Sequence, residues 1–172
     1  MILLELNLEK ISRIAEQKEK ENLDFRFFLK GQDPEKIDKI VHRLNKLIVE
    51  QIDCTQCGNC CKTTGTSISD SELIILAGLE NITATEFEAR FVEKEENDNA
   101  KYLKEIPCKY LSEKKCTIYE NRPEDCRSYP HTHKNGFVSR TLGVLMNYEI
   151  CPIVYNVYEN LKIELNYKNR YR

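Results

Sequence analysis

The sequence has no apolar run long enough to act as a secretory signal or to cross a bilayer. Met1-Ile2-Leu3-Leu4 meets a charge at Glu5, and Glu9, Lys10 and Arg13 follow. The chain is therefore expected to stay in the cytoplasm and to take no membrane partner. It also lacks an excess of either charge. Basic residues number 26 and acidic ones 28, a formal net charge of −2, which exerts no long-range pull on nucleic acid or acidic lipid. Lys109, Lys114 and Lys115 make no basic stripe, so nucleic acid is not an expected partner. The basic end Lys168-Asn169-Arg170-Tyr171-Arg172 is short and reads as a solvated helix end. Internal repeats and low-complexity segments are missing as well. The 172 residues, 41% of them hydrophobic, suit one domain with a real core.

What the chain does have is cysteine. Of eight, four crowd into Cys54-Thr55-Gln56-Cys57-Gly58-Asn59-Cys60-Cys61, and Cys108, Cys116, Cys126 and Cys151 follow. Two cysteines separated by two residues turn their sulfurs toward one point across a tight loop, the ligand spacing of structural zinc sites and iron–sulfur clusters. The competing reading is a disulfide framework. A reducing cytoplasm disfavours it, and so does the adjacency of Cys60 and Cys61. Thiolate sulfur is soft and selects zinc, iron–sulfur or cuprous copper over magnesium or calcium. Eight thiols supply two four-ligand sites, or one 4Fe-4S cluster and a further ion. Neighbouring side chains diverge, so one of Cys60 and Cys61 is expected to close the first site and the other to serve a second or to stay reactive; which does which is open. Cys54, Cys57 and Cys60 match the opening triplet of a ferredoxin run, and Cys151-Pro152 its closing pair.

Around the cysteines the pattern is helical. Residues 1–52 read as a helical hairpin. Leu4, Leu8, Ile11 and Ile14 mark its first arm, Leu23, Phe25, Phe27 and Phe28 a helical or extended end, and Gly31 a stop. Asp33-Pro34 opens the second arm, whose stripe is Ile37, Ile40, Val41, Leu44, Leu47 and Ile48. His42 beside that stripe reads as a packed or surface residue. Residues 62–66 read as polar loop. Capping boxes at Ser69/Glu72 and Thr83/Glu86 open helices expected over 70–77, stopped by Gly78, and to about Glu93; Glu93 to Asn99 reads as an acidic loop. Cys108–Leu111 and Cys116–Tyr119 read as a β-hairpin with one cysteine per strand, Pro123 to Pro130 as a helical turn around Cys126, and Phe137 to Met146 as strand or helix. Ile150, Val154, Val157, Leu161 and Leu165 form a last stripe, expected to pack on the N-terminal hairpin. The expected architecture is mainly α with a small β-hairpin: a cysteine-rich metal-binding centre at 53–152, packed on helices at 1–52 and 153–172, in one domain. Four further residues are candidate partners of the centre or of a substrate. Arg122 and Arg127 flank Cys126, where guanidinium donors offset thiolate charge. His131 and His133 bracket Thr132, and in an extended segment their rings face one side.

Cys54-x-x-Cys57-Gly58-x-Cys60-Cys61, Pro107-Cys108-x-Tyr110-Leu111, Cys116-Thr117-Ile118-Tyr119, Arg122-Pro123-Glu124-x-Cys126-Arg127-x-Tyr129-Pro130 and Cys151-Pro152 together resemble the YkgJ-type cysteine-cluster family of zinc- or iron-chelating domains. The resemblance spans about residues 53–152. It implies bound zinc or iron, as ions or an iron–sulfur cluster. A similar cluster occurs in flagellin lysine methylases, but no glycine-rich loop follows a strand here to cradle S-adenosylmethionine in the usual way. The leading expectation is a cytoplasmic protein that chelates zinc or iron through its eight cysteines. The alternative is an iron–sulfur or thiol-dependent enzyme, of redox or methyl-transfer type, using the same cluster.

Overall fold

The computed structural model describes residues 4–95 and 100–169. In chain order the elements are α1 (Leu8–Gln17), α2 (Glu19–Lys30), α3 (Pro34–Val49), α4 (Cys54–Cys57), α5 (Asn59–Thr63), β1 (Ser67–Ile68), α6 (Asp70–Leu79), α7 (Ala84–Phe91), β2 (Val92–Lys94), β3 (Lys101–Leu103), β4 (Leu111–Ser112), β5 (Lys115–Cys116), a 3-10 turn (Tyr119–Asn121), α8 (Glu124–Ser128), α9 (Thr141–Tyr148) and α10 (Pro152–Glu164). The fold is mainly α with short antiparallel strands, as expected. It divides into two compact units, Met1–Asp53 with Pro130–Arg172, and Cys54–Tyr129.

In the discontinuous unit, α3 starts as its sequence dictates. Asp33 accepts from the amides of Glu35 and Lys36, and Pro34 occupies the first turn. The helix buries Ile37, Val41, Leu44 and Ile48 and packs chiefly on α10. The single stripe expected for α10 understates it. Every residue from Cys151 to Tyr158 is buried, because α1, α3 and α9 all pack against this helix. The first arm of the expected hairpin is two helices, not one. Lys18 leaves the helical basin between them (φ −100°, ψ 9°), and its ammonium pairs with Glu159 of α10. The aromatic segment is the body of α2, with Phe25 and Leu29 buried, and residues 141–148 are helical rather than extended. Lys162 of α10 is buried yet saturated: its ammonium donates to Glu21 (2.7 Å), Glu159 (2.7 Å) and the Asn22 side chain (2.6 Å). A buried charge needs such pairing.

In the Cys54–Tyr129 unit both capping boxes form. α6 runs through Gly78 to Leu79, so that glycine does not stop it. α7 ends at Phe91, before the expected Glu93, because Val92 enters a strand and pairs with Leu103. This puts Glu93 and Lys94 in β2; residues 96–99 of the expected loop lie outside the described residues, as do 170–172 of the basic end. The sheet order is β1-β3-β2, all antiparallel, and sequence periodicity gave no sign of it. Ile68, Leu73, Leu76, Ala77, Phe87, Leu103 and Tyr110 form the core, with Cys108, Cys116 and Ile118 packed on its edge. The expected hairpin exists but is shorter, pairing Leu111 with Cys116 and Ser112 with Lys115. Cys108 precedes its first strand, and Tyr119 begins the 3-10 turn.

Candidate metal centre

The chelating run is two helical turns joined at Gly58. α4 carries Cys54 and Cys57, and α5 carries Cys60 and Cys61. Gly58 takes the left-handed conformation (φ +61°, ψ 11°), and a Cβ there would stand 2.8 Å from the Lys114 carbonyl oxygen. Both facts demand glycine: the turn is left-handed, and the hairpin backbone lies against it. α4 packs on β5, the strand of Cys116. From the other side the Cys108 amide donates to the Cys61 carbonyl at 2.8 Å. Cys126 sits on α8, which packs on β1. Asp125 ties the two elements by accepting from the Ser67 amide at 3.0 Å, and the Glu124 amide donates to Glu72 at 2.6 Å.

The thiols differ in their electrostatics. The Cys60 side chain hydrogen-bonds to Cys61 and lowers the Cys61 pKa to about 6, against the opposing effect of burial. Burial pushes the Cys108 and Cys116 thiols up, and negative charge at Cys61 pushes both further. Burial raises Cys126 to about 11; a hydrogen bond to Thr66 opposes this, while charge at Cys61, Cys108 and Asp125 adds to it. Charge at Cys61 is thus felt at Cys108, Cys116 and Cys126, and Cys60 hydrogen-bonds to it. All eight cysteines stand as thiols. Among the described residues no three His, Cys, Asp or Glu side chains are spaced to hold a metal ion. The donor chemistry nevertheless fits zinc or iron. Residues 54–129 include seven cysteines and no histidine, so an ion here would meet the soft sulfur donors that both metals accept.

A family model, CxxCxxCC, described as "Putative zinc- or iron-chelating domain", matches residues 53–152, more than half of the chain. The chain belongs to this family. No curated protein and no solved structure matches it significantly. The CxxCxxCC match runs past the Cys54–Tyr129 unit to include Cys151, which is buried in the other unit immediately before α10 and donates its amide to Asn147 at 2.9 Å.

The four remaining candidates separate. Arg122 stands by the thiols: its positive charge favours the Cys116 thiolate, while its guanidinium stacks 3.6 Å from the Tyr119 ring centroid and donates to the Tyr119 carbonyl at 2.7 Å. Arg127 instead holds the preceding turn, donating to the carbonyls of Arg122 (2.9 Å) and Glu120 (3.3 Å). His131 and His133 belong to the discontinuous unit. Their segment is a turn rather than extended, because His131 is left-handed (φ +62°) and its carbonyl accepts from the Lys134 amide. Burial lowers the His133 pKa, as do the charges of Lys134, His131, His42 and Arg140. Sequence reasoning missed Thr66, in a stretch read as plain polar loop; its Oγ1 is 3.1 Å from the Cys126 sulfur.

Proposed function

We propose that this protein is a cytoplasmic zinc- or iron-binding protein whose metal centre is built on the Cys54–Tyr129 unit. The proposed ligands are drawn from Cys54, Cys57, Cys60, Cys61, Cys108, Cys116 and Cys126. Cys151 stays a candidate because the family match runs through it. The observation that carries the reading is the family match over residues 53–152; the hydrogen bond from the Cys108 amide to the Cys61 carbonyl and the effect of Cys61 charge on Cys108, Cys116 and Cys126 support it. Closing four thiolates on one ion requires them to move together, and metal binding would supply the free energy for it. Zinc there would tie α4, α5, the hairpin and α8 together; iron would add electron transfer, as a 4Fe-4S cluster or otherwise. Arg122 offsets part of the negative charge that a four-sulfur centre accumulates.

Anaerobic purification with metal analysis tests this. The expected result is stoichiometric zinc in a colourless protein, or iron with sulfide in a brown one. A full-length protein that carries neither, and takes up neither when reduced and offered each ion, overturns the reading.

A further inference from the structure

We propose that Thr66 is a positioning residue of the metal centre, its hydroxyl holding the Cys126 sulfur in place. The inference rests on Cys126 being a ligand. The backbone at Thr66 is anchored. Its carbonyl accepts from the Leu103 amide at 3.0 Å, and the next residue, Ser67, pairs with Tyr102 in the β1–β3 ladder. Its branched side chain restricts χ1. From this anchored position Oγ1 lies 3.1 Å from the Cys126 sulfur and 3.4 Å from Asp125 Oδ2. The contact to sulfur is the shorter one, although sulfur is the larger atom. Asp125 does not depend on the hydroxyl, since the Ser67 amide already donates to the same oxygen at 3.0 Å.

A hydroxyl has one proton to give and two lone pairs to receive with. With a thiol at Cys126, the S–H donates to Oγ1 and the Thr66 O–H points to Asp125. Once an ion replaces the sulfur's proton, which leaves to solvent, the same hydroxyl turns and donates to sulfur, and Asp125 keeps the Ser67 amide. One side chain therefore supports Cys126 in both the empty and the loaded state. Donors to a ligating sulfur orient it and moderate its charge, and their loss typically costs about 10–100-fold in metal affinity.

The test uses the full-length chain with zinc as the probe. Thr66→Val removes the hydroxyl and keeps the shape; Thr66→Ala replaces it if that variant does not fold; Thr66→Ser restores the hydroxyl. In metal-free reduced protein, Raman spectra should show one S–H stretching band moving to higher frequency in Thr66→Val and returning in Thr66→Ser. In zinc-loaded protein, transfer to a chromophoric chelator should be about 10–100-fold faster in Thr66→Val, with Thr66→Ser close to wild type. Wild-type transfer rates in Thr66→Val overturn the role, whether or not the S–H band moves. A wild-type protein that binds no zinc and no iron overturns the centre itself, and the role of Thr66 falls with it.

Discussion

The Cys108 amide donates to the Cys61 carbonyl across 2.8 Å, and that one hydrogen bond joins the chelating run to the stretch leading into the hairpin. Removing metal from the purified protein should loosen this junction. Chelation is expected to accelerate deuterium exchange at Cys108 and the hairpin amides, and to lower the thermal midpoint by more than about 10 °C, given the size of metal-linked folding energies. Unchanged exchange across residues 54–129 would show that no ion supports the unit.

Gly58→Ala should be the most damaging single-methyl change in the run. The left-handed backbone alone costs about 1–2 kcal/mol in any L-residue. The added Cβ would also stand 2.8 Å from the carbonyl oxygen of Lys114, and its other nearest neighbours, Lys114 Cα and carbonyl carbon, are backbone too. Metal content and urea midpoint are both expected to fall, whereas Gly78→Ala, with nothing within 4 Å of its Cβ, should leave metal content unchanged.

Thiol reactivity in the metal-free protein should be ordered. Cys61, lowered to about 6 by its Cys60 partner, is expected to alkylate first at neutral pH, and Cys126, raised to about 11, well after it. The stability effects have opposite signs. The folded pKa of Cys61 lies below its ordinary 9.0, so its contribution is full above 9 and is lost as pH falls through about 6. That of Cys126 is full below 9 and is lost as pH rises through about 11. Mass-spectrometric mapping of limited alkylation against pH measures the order; equal rates at all sites would refute it.

Lys162→Ala should destabilise the discontinuous unit by about 1–3 kcal/mol, because it removes a buried ammonium from half-buried Glu21 and Glu159 and leaves Glu159 to Lys18 and the Tyr148 hydroxyl. Lys162→Met, which keeps the stem but not the charge, should rescue only part of the loss. Burial pushes the Glu159 pKa up, but Lys162 and Lys18 outweigh it and hold the value below the ordinary 4.5. Stability from Glu159 is therefore full above that value and declines as pH falls below it. Urea melts of wild type and Lys162→Met between neutral and acid pH should converge on the acid side.

The helices were legible because their signals are local. Asp33-Pro34, Ser69/Glu72 and Thr83/Glu86 each cap a helix within four residues of chain. The three-stranded sheet was not, since strands as short as Ser67–Ile68 and Val92–Lys94 are too brief to show a period of two. The break at Lys18 was hidden for another reason: its side chain answers to Glu159, far along the chain. In the site, residue type announced the donors. What spacing could not announce was contact at long range. Thr66 and Cys126 stand 60 positions apart, and a threonine in a polar loop carries no mark of the sulfur it will meet.

The discontinuity of the first unit has a consequence for biosynthesis. α3 emerges from the ribosome early, but α10, its main packing partner, is translated only after the whole of Cys54–Tyr129. Chains fold from the N-terminus as they are made. The thiol-bearing insert is therefore fully translated while the unit that brackets it still lacks its central helix.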